Sequence, residues 1–206
     1  MSNAELTLHG APLSGHTHRV VLLLRMLKLP YRFVEADAPV CNTPELPANN
    51  PLDHVPVLQD GPLLLSDSNA ILVYLARRYD AGGTWLPNDP VGEANVQRFL
   101  SLAAGELANG PATARAIALW CMPGDADRAN AITTWLLHYL DTHLATHHFL
   151  AAERPTIADL ACYSYVAHVP DARISLAPYK KVRGWLARIE ALEGFVPMAP
   201  TNQIAA

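Results

Sequence analysis

Cysteine is scarce. Only three of the 206 residues are cysteine, Cys41, Cys121 and Cys162, far apart and with no CxxC pair. An odd, scattered set argues against a disulfide framework and against a structural zinc site, so reduced thiols are expected. Charge is thin as well. Charged residues make up 17% of the chain, 15 basic against 19 acidic, for a net charge of -4. That balance leaves no electrostatic footprint for a polyanion, so nucleic acid is not an expected partner. No apolar run approaches the ~20 residues of a bilayer span. The N-terminus lacks a basic segment followed by an apolar stretch and a small-residue cleavage site, and a cytoplasmic protein without a membrane partner is expected. What is plentiful is apolar side chain, half of all residues, enough for one large domain or two small ones with separate cores.

The two halves of the chain follow different periodicities. In "ELTLHG" the two-residue spacing of Leu6 and Leu8 predicts a half-buried strand. From Val20 to Lys28 the apolar positions Val20, Leu23, Leu24 and Leu27 follow helical spacing, and Leu29-Pro30 ends the run because the residue before proline disfavours helix. "YRFVEA" returns to strand spacing. "VPVLQDGPLLLSD" reads as two short strands joined at Asp60-Gly61, with a helix from Ser68 to Tyr79 after them. A βαβ unit followed by a ββα unit predicts a small mixed sheet over residues 1–80. Residues 81–90 read as a linker rich in Gly, Pro, Asn and Asp. Residues 91–206 read as all helical, with breaks at Gly110-Pro111, at "MPGDAD" and at Glu153 to Pro155. One apolar stripe runs through Ile132, Trp135, Leu136, Tyr139, Leu140 and Leu144, another through Val182, Trp185, Leu186, Ile189 and Leu192, and both predict core. "PTIADLACYSYVAHV" opens with Thr156 as N-cap and Asp159 three residues on, a carboxylate variant of the capping box.

"PLSGHTHRVVLLLRML" brings one hydroxyl and two imidazoles to the exit of the first strand. A serine nucleophile needs a base that is itself oriented, and Ser14 has neither a GxSxG elbow nor a histidine aimed back at it. A metal site needs several converging ligands, and neither His16 with His18 nor His143 with His147 supplies a third, which leaves surface or helix-edge histidines as the simpler account. No metal is expected, and His18 is expected on the helix surface. The third role is donor: an unactivated Ser14 hydroxyl, beside a helix N-terminus, hydrogen-bonds a thiolate that belongs to the substrate. Lowering a thiol's pKa from ~8.5 by two takes about 2.7 kcal/mol. One charge-assisted hydrogen bond gives roughly 1.5 to 3 kcal/mol and a helix N-terminus roughly 0.3 to 1, so no base is required.

A second signal lies in "NNPLDHVPVLQDGPLLLSDSNAILVYLARRY". If Pro56 is cis, the Val55 backbone N-H and C=O face outward and can pair with an extended peptide-like ligand. Asp67 and Ser68 fall at a strand end and the next helix N-terminus. There Ser68 and adjacent backbone can receive a carboxylate and Asp67 an amine, although an ordinary helix cap accounts for the same pair.

In this order and spacing, "SGHTHRVVLLLRMLKLPYRFVEAD", "NNPLDHVPVLQDGPLLLSDSNAILVYLARRY" and "ERPTIADLACYSYVAHV" with "YKKVRGWLARIEALEGF" resemble the cytosolic glutathione transferase superfamily, in the manner of a bacterial serine-type member. The resemblance implies a thioredoxin-like N-terminal domain followed by an all-helical domain, usually as a homodimer. It implies glutathione as co-substrate and a small hydrophobic electrophile as second substrate. Ser14 then stabilises the thiolate, Val55 precedes the family's cis-proline Pro56, Asp67 and Ser68 hold the γ-glutamyl group, and Thr156 with Asp159 form the helical domain's capping motif. His9 stands where tyrosine-type members carry tyrosine, and the Ser14 loop has no cysteine for a mixed disulfide. Asn42 replaces a common lysine at the glycine end of glutathione, His54 takes the contact before Val55, and Asp53 stands where glycine is frequent. For the electrophile, His16, Trp120, Met122, Tyr165 and His168 are candidate linings, each of which also fits ordinary packing. The implied activity is glutathione transfer. Peroxidase, isomerase or dehalogenase chemistry on the same thiolate remains open, as does a non-catalytic glutathione-binding role.

Overall fold

A computed structural model describes residues 6–36 and 54–201. Residues up to Ala81, joined by those from Glu193 onward, make one compact unit, and Gly82–Leu192 make the other. The first contains a four-stranded sheet of order β2-β1-β3-β4. Strand β1 (Leu6–Gly10) runs parallel to β2 (Tyr31–Glu35) and antiparallel to β3 (Val57–Asp60), which pairs antiparallel with β4 (Leu63–Ser66). Helix α1 (Gly15–Met26) makes the crossover from β1 to β2, and α2 (Ser68–Tyr79) follows β4 and packs on α1. This is the βαβ-ββα order of a thioredoxin-like domain. The β3–β4 connection puts Gly61 at φ 56, a positive φ at the first loop position that glycine adopts without cost.

Central placement changes β1 from the half-buried strand that alternation predicts. All five of its residues are buried, because β1 has a strand on each side and a side chain on either face meets packed structure. Helix α1 begins at Gly15, directly after Ser14 as expected and ahead of the apolar run that starts at Val20. Its buried face includes Thr17, His18 and Arg19 beside Val20, Leu22, Leu23 and Leu24, so polar groups occupy core positions where an apolar count finds no signal. The helix ends in a Schellman turn. Lys28 takes φ 56, with its N-H donating to the Arg25 carbonyl at 3.0 Å and the Leu29 N-H to the Leu24 carbonyl at 2.9 Å.

The C-terminal segment departs from the helical reading of residues 91–206, since from Glu193 it belongs with the first unit. Glu193 Oε1 meets Lys28 Nζ at 2.7 Å. Gly194, at φ 87, passes so near α1 that a Cβ there would lie 2.9 Å from the Arg25 carbonyl oxygen. The Val196 carbonyl accepts a 2.9 Å hydrogen bond from His18 Nε2. The His18 ring is therefore buried, 4% exposed, and not the helix-surface group expected. An imidazole at that position is held by a partner 178 residues away.

The second unit is built of α3 (Pro90–Ala104), a π-turn over Ala108–Ala112, α4 (Thr113–Trp120), α5 (Ala126–His143), α6 (Ile157–Ala167) and α7 (Lys180–Glu190). Every residue of α6 from Ile157 to Val166 is buried, as an apolar circumference requires. Its capping box is complete. Asp159 accepts from the Thr156 N-H at 2.9 Å and also from the Leu150 N-H at 2.9 Å and the Trp185 indole at 2.9 Å, tying loop, α6 and α7 through one carboxylate. Val182, Trp185, Leu186 and Ile189 of the α7 stripe are core as expected, while Leu192, beyond the helix, is half-buried; Trp135 of the α5 stripe is 53% exposed and stacks on Tyr139 at 5.7 Å. Among the described residues no helix is long and apolar enough to cross a membrane.

Candidate functional site

Two helix N-termini meet in the first unit. At α1, Ser14 is the N-cap in extended backbone, and its Oγ accepts from the Thr17 N-H at 3.3 Å. This satisfies one of the amide donors of the first turn, and the hydroxyl hydrogen has no acceptor among the described residues. Ser14 is half-buried. The oxygen already accepts a bond, so what Ser14 can offer a ligand is its hydrogen, directed at an acceptor that also feels the positive end of α1.

At α2, Asp67 is the N-cap, with Oδ1 accepting from the Ala70 N-H at 2.8 Å. Its backbone holds φ 72 and ψ 119, a positive φ outside the left-handed helical well that costs on the order of 1 to 3 kcal/mol. The carboxylate is exposed while Ser68 beside it is buried. The Ser68 hydroxyl turns inward: Arg19 Nη1 donates to it at 3.2 Å and to Asn69 Oδ1 at 2.9 Å, and His16 Nδ1 lies 3.2 Å away. Burial first, then the charge of Arg19 and the nearby His54, lowers the His16 pKa from 6.5 to about 3, so the ring is neutral. The Ser68 oxygen accepts from Arg19 and shares a hydrogen bond with His16 Nδ1, linking Arg19, Ser68 and His16 between the helices. A guanidinium 1% exposed thus sits behind the α2 N-terminus and adds full positive charge to the dipole there.

Val55-Pro56 is a cis peptide immediately ahead of β3, with Val55 half-buried, Pro56 buried and His54 exposed. The first unit therefore gathers Ser14, His16, Arg19, Ser68 and Asn69, with Asp67 capping the second helix. His16, expected as an electrophile-side candidate, instead belongs to the Ser68 cluster. His9 is 1% exposed within β1. Asn42 and Asp53 lie outside the described residues. In the second unit Trp120 and Met122 are 41% and 54% exposed, on either side of the left-handed C-cap Cys121 of α4, and Arg115 lies 5.3 Å over the Trp120 ring. Tyr165 is buried and His168 is bound to the Ser164 carbonyl at 2.7 Å. Reading for apolar periodicity missed Arg19 and Asn69. The available signal was an arginine inside a strongly apolar helical run, where an exposed role is hard to arrange.

The model of the glutathione S-transferase N-terminal domain matches residues 8–84, and that of the glutathione S-transferase C-terminal domain matches residues 124–193. The chain belongs to the glutathione S-transferase family. It is an enzyme of that family, with the N-terminal match on the sheet-bearing unit and the C-terminal match on the helical one. A Rhodopseudomonas palustris protein solved as a possible glutathione S-transferase is 31% identical, covers 95% of this chain and 99% of its own, and superimposes with a TM-score of 0.80. The disulfide-bond oxidoreductase YfcG of Escherichia coli is 29% identical over 90% of each chain. Glutathione S-transferase 2 of Anopheles gambiae is 28% identical over 80% of this chain and 79% of its own.

Proposed function

We propose that this glutathione S-transferase family member joins the sulfur of glutathione to small hydrophobic electrophiles, with Ser14 as the hydroxyl that holds the thiolate. The observation that carries the reading is the Ser14 hydroxyl, half-buried at the N-terminus of α1, with its oxygen engaged by Thr17 and its hydrogen available. The pieces for the rest of a tripeptide lie in the same unit. The N-terminal end of α2, backed by Arg19, suits the γ-glutamyl carboxylate. The exposed Asp67 carboxylate suits its amine, the Val55 backbone suits the cysteinyl unit, and His54 is exposed next to it for the glycine end. Glutathione supplies the nucleophile: its sulfur bonds to carbon while the leaving group departs with the bonding pair, and the thiol proton passes to solvent. Ser14 acts without a base, lowering the thiol pKa by stabilising the anion. In the helical unit, Trp120 and Met122 offer apolar surface to the electrophile. The chain acts as a cytoplasmic homodimer in this reading.

The test is conjugation of glutathione to chlorodinitrobenzene by wild type and Ser14→Ala, with glutathione binding followed by calorimetry. Activity unchanged in Ser14→Ala would overturn the role of Ser14. Binding without turnover on hydroperoxides, maleyl compounds or haloalkanes as well would support a ligand-binding protein instead. A second reading draws on the name of the Escherichia coli relative: the same thiolate attacks a disulfide, and two glutathiones reduce it to two thiols while becoming glutathione disulfide. Turnover of a small disulfide with none of chlorodinitrobenzene would select it.

A further inference from the structure

A cavity of about 240 Å³ opens in the helical unit between the end of α5, the loop after it and α7. Its walls carry Lys180, Lys181 and Arg188 from α7 and His147 and His148 from the loop, with Gly184 between the two cationic ends. The concentration of charge is unusual for this chain: two of its three lysines stand here, in a sequence whose net charge is -4. We propose that this cavity binds a small phosphorylated molecule, its phosphoryl group between Lys180, Lys181 and Arg188.

The geometry keeps these cations available. The Asp141 carboxylate, the acid set against this helix end, accepts the backbone N-H groups of Lys181 and Val182 at 2.8 and 3.1 Å, so it caps α7 and the two lysine side chains stay exposed. Arg188 is oriented by a hydrogen bond from Nε to the His148 carbonyl at 3.0 Å and by the Phe149 ring 5.8 Å from its guanidinium, and its two terminal nitrogens can meet a bidentate acceptor. A phosphoryl group, with up to two charges and three acceptor oxygens, matches a fork and two ammonium groups better than a single carboxylate does. His147 supplies a flat wall for the organic part: its ring stacks on His143 at 4.1 Å and is itself exposed.

Gly184 is the second, independent observation. It sits in the middle of α7, where glycine is the poorest helix former apart from proline, and nothing in the packing demands it. A Cβ built there meets only Arg188 Nη1, at 3.5 Å, an ordinary contact. The fold would accept alanine and gain helix stability, so the glycine has a reason outside stability: it keeps the floor of the cavity open beneath the guanidinium.

The experiment is titration of the full-length protein with inorganic pyrophosphate, orthophosphate and citrate by calorimetry, in wild type, Lys180→Gln/Lys181→Gln and Gly184→Ala. Pyrophosphate is expected to bind wild type more tightly than citrate and to weaken with added salt. It should bind the double variant about tenfold less tightly, with chlorodinitrobenzene conjugation unchanged in that variant. Gly184→Ala should raise the thermal midpoint by about 2 to 4 °C while weakening pyrophosphate. Absence of pyrophosphate binding, equal binding by the double variant, or citrate binding as tightly as pyrophosphate would each overturn the proposal. Gly184→Ala that gains stability with full affinity would remove the role given to the glycine.

Discussion

Ser14→Gly and Ser14→Ala together separate the two roles of one oxygen. Ser14 Oγ caps α1 through the Thr17 N-H, and replacing such a cap by alanine costs about 1 kcal/mol of stability, by glycine only a few tenths. Both substitutions remove the hydroxyl hydrogen, worth about 1.5 to 3 kcal/mol to a bound thiolate. At about 1.4 kcal/mol per pKa unit, the thiol pKa of bound glutathione should rise by roughly one to two in either variant. The rate of conjugation then falls about 10- to 100-fold at pH values below the wild-type thiol pKa and recovers toward wild type at high pH, where both thiols are ionised. The assay is kcat/KM against pH, read alongside the thiolate absorbance of bound glutathione and the urea midpoint. Ser14→Gly should keep nearly all the stability and lose the low-pH activity. A Ser14→Gly enzyme with the wild-type pH profile would refute the donor role, and a loss of activity in Ser14→Ala alone would show that the cap, not the hydrogen, matters.

Arg19→Met removes the buried guanidinium that donates to Ser68 and Asn69; glutathione KM should rise tenfold or more with kcat at saturation little changed, and an unaltered KM would contradict a charge placed for the γ-glutamyl end. His16 has a folded pKa near 3 against 6.5 ordinarily, so between those values the unfolded chain holds a proton that the folded chain excludes. Stability is therefore complete above pH 6.5 and drops toward pH 3, by up to about 1.4 kcal/mol per pH unit; urea midpoints from pH 7 to 4 should fall less steeply for His16→Asn, and parallel curves would disprove the assignment. Asp159→Ala strands the buried Leu150 amide and Trp185 indole and breaks the α6 cap, for an expected loss of about 3 to 5 kcal/mol in urea unfolding, and a loss below about 1 kcal/mol would show that these donors find other partners.

Legibility in the sequence followed the range of the interaction. The β3–β4 hairpin at Asp60-Gly61, the helix Ser68–Tyr79 and the Thr156–Asp159 box are set by neighbours a few residues apart, and the structure has them where the pattern puts them. Ser14 is legible as a helix-start hydroxyl for the same reason. The burial of His18 and Arg19 is not legible, because they are polar and their partners at Val196, Ser68 and Asn69 lie in no local window. Proximity along the chain associates His16 with Ser14, while its ring faces a hydroxyl 52 residues away. Trp135 shows the opposite error: helical spacing placed it in the apolar stripe, but the stripe is wider than the buried face and Trp135 stands at its edge, 53% exposed.

The return of residues 193–196 to α1 sets an order of events during synthesis. The contacts of Glu193, Gly194 and Val196 with Lys28, Arg25 and His18 cannot form until residue 196 has left the ribosome, so the sheet-bearing unit waits for this segment while the helices between are being made. Until then His18 lacks the Val196 carbonyl that its ring meets in the folded unit. Completion of the sheet-bearing unit thus depends on residues 193–196, and a truncation that removes them acts on α1 before it acts on anything nearby in sequence.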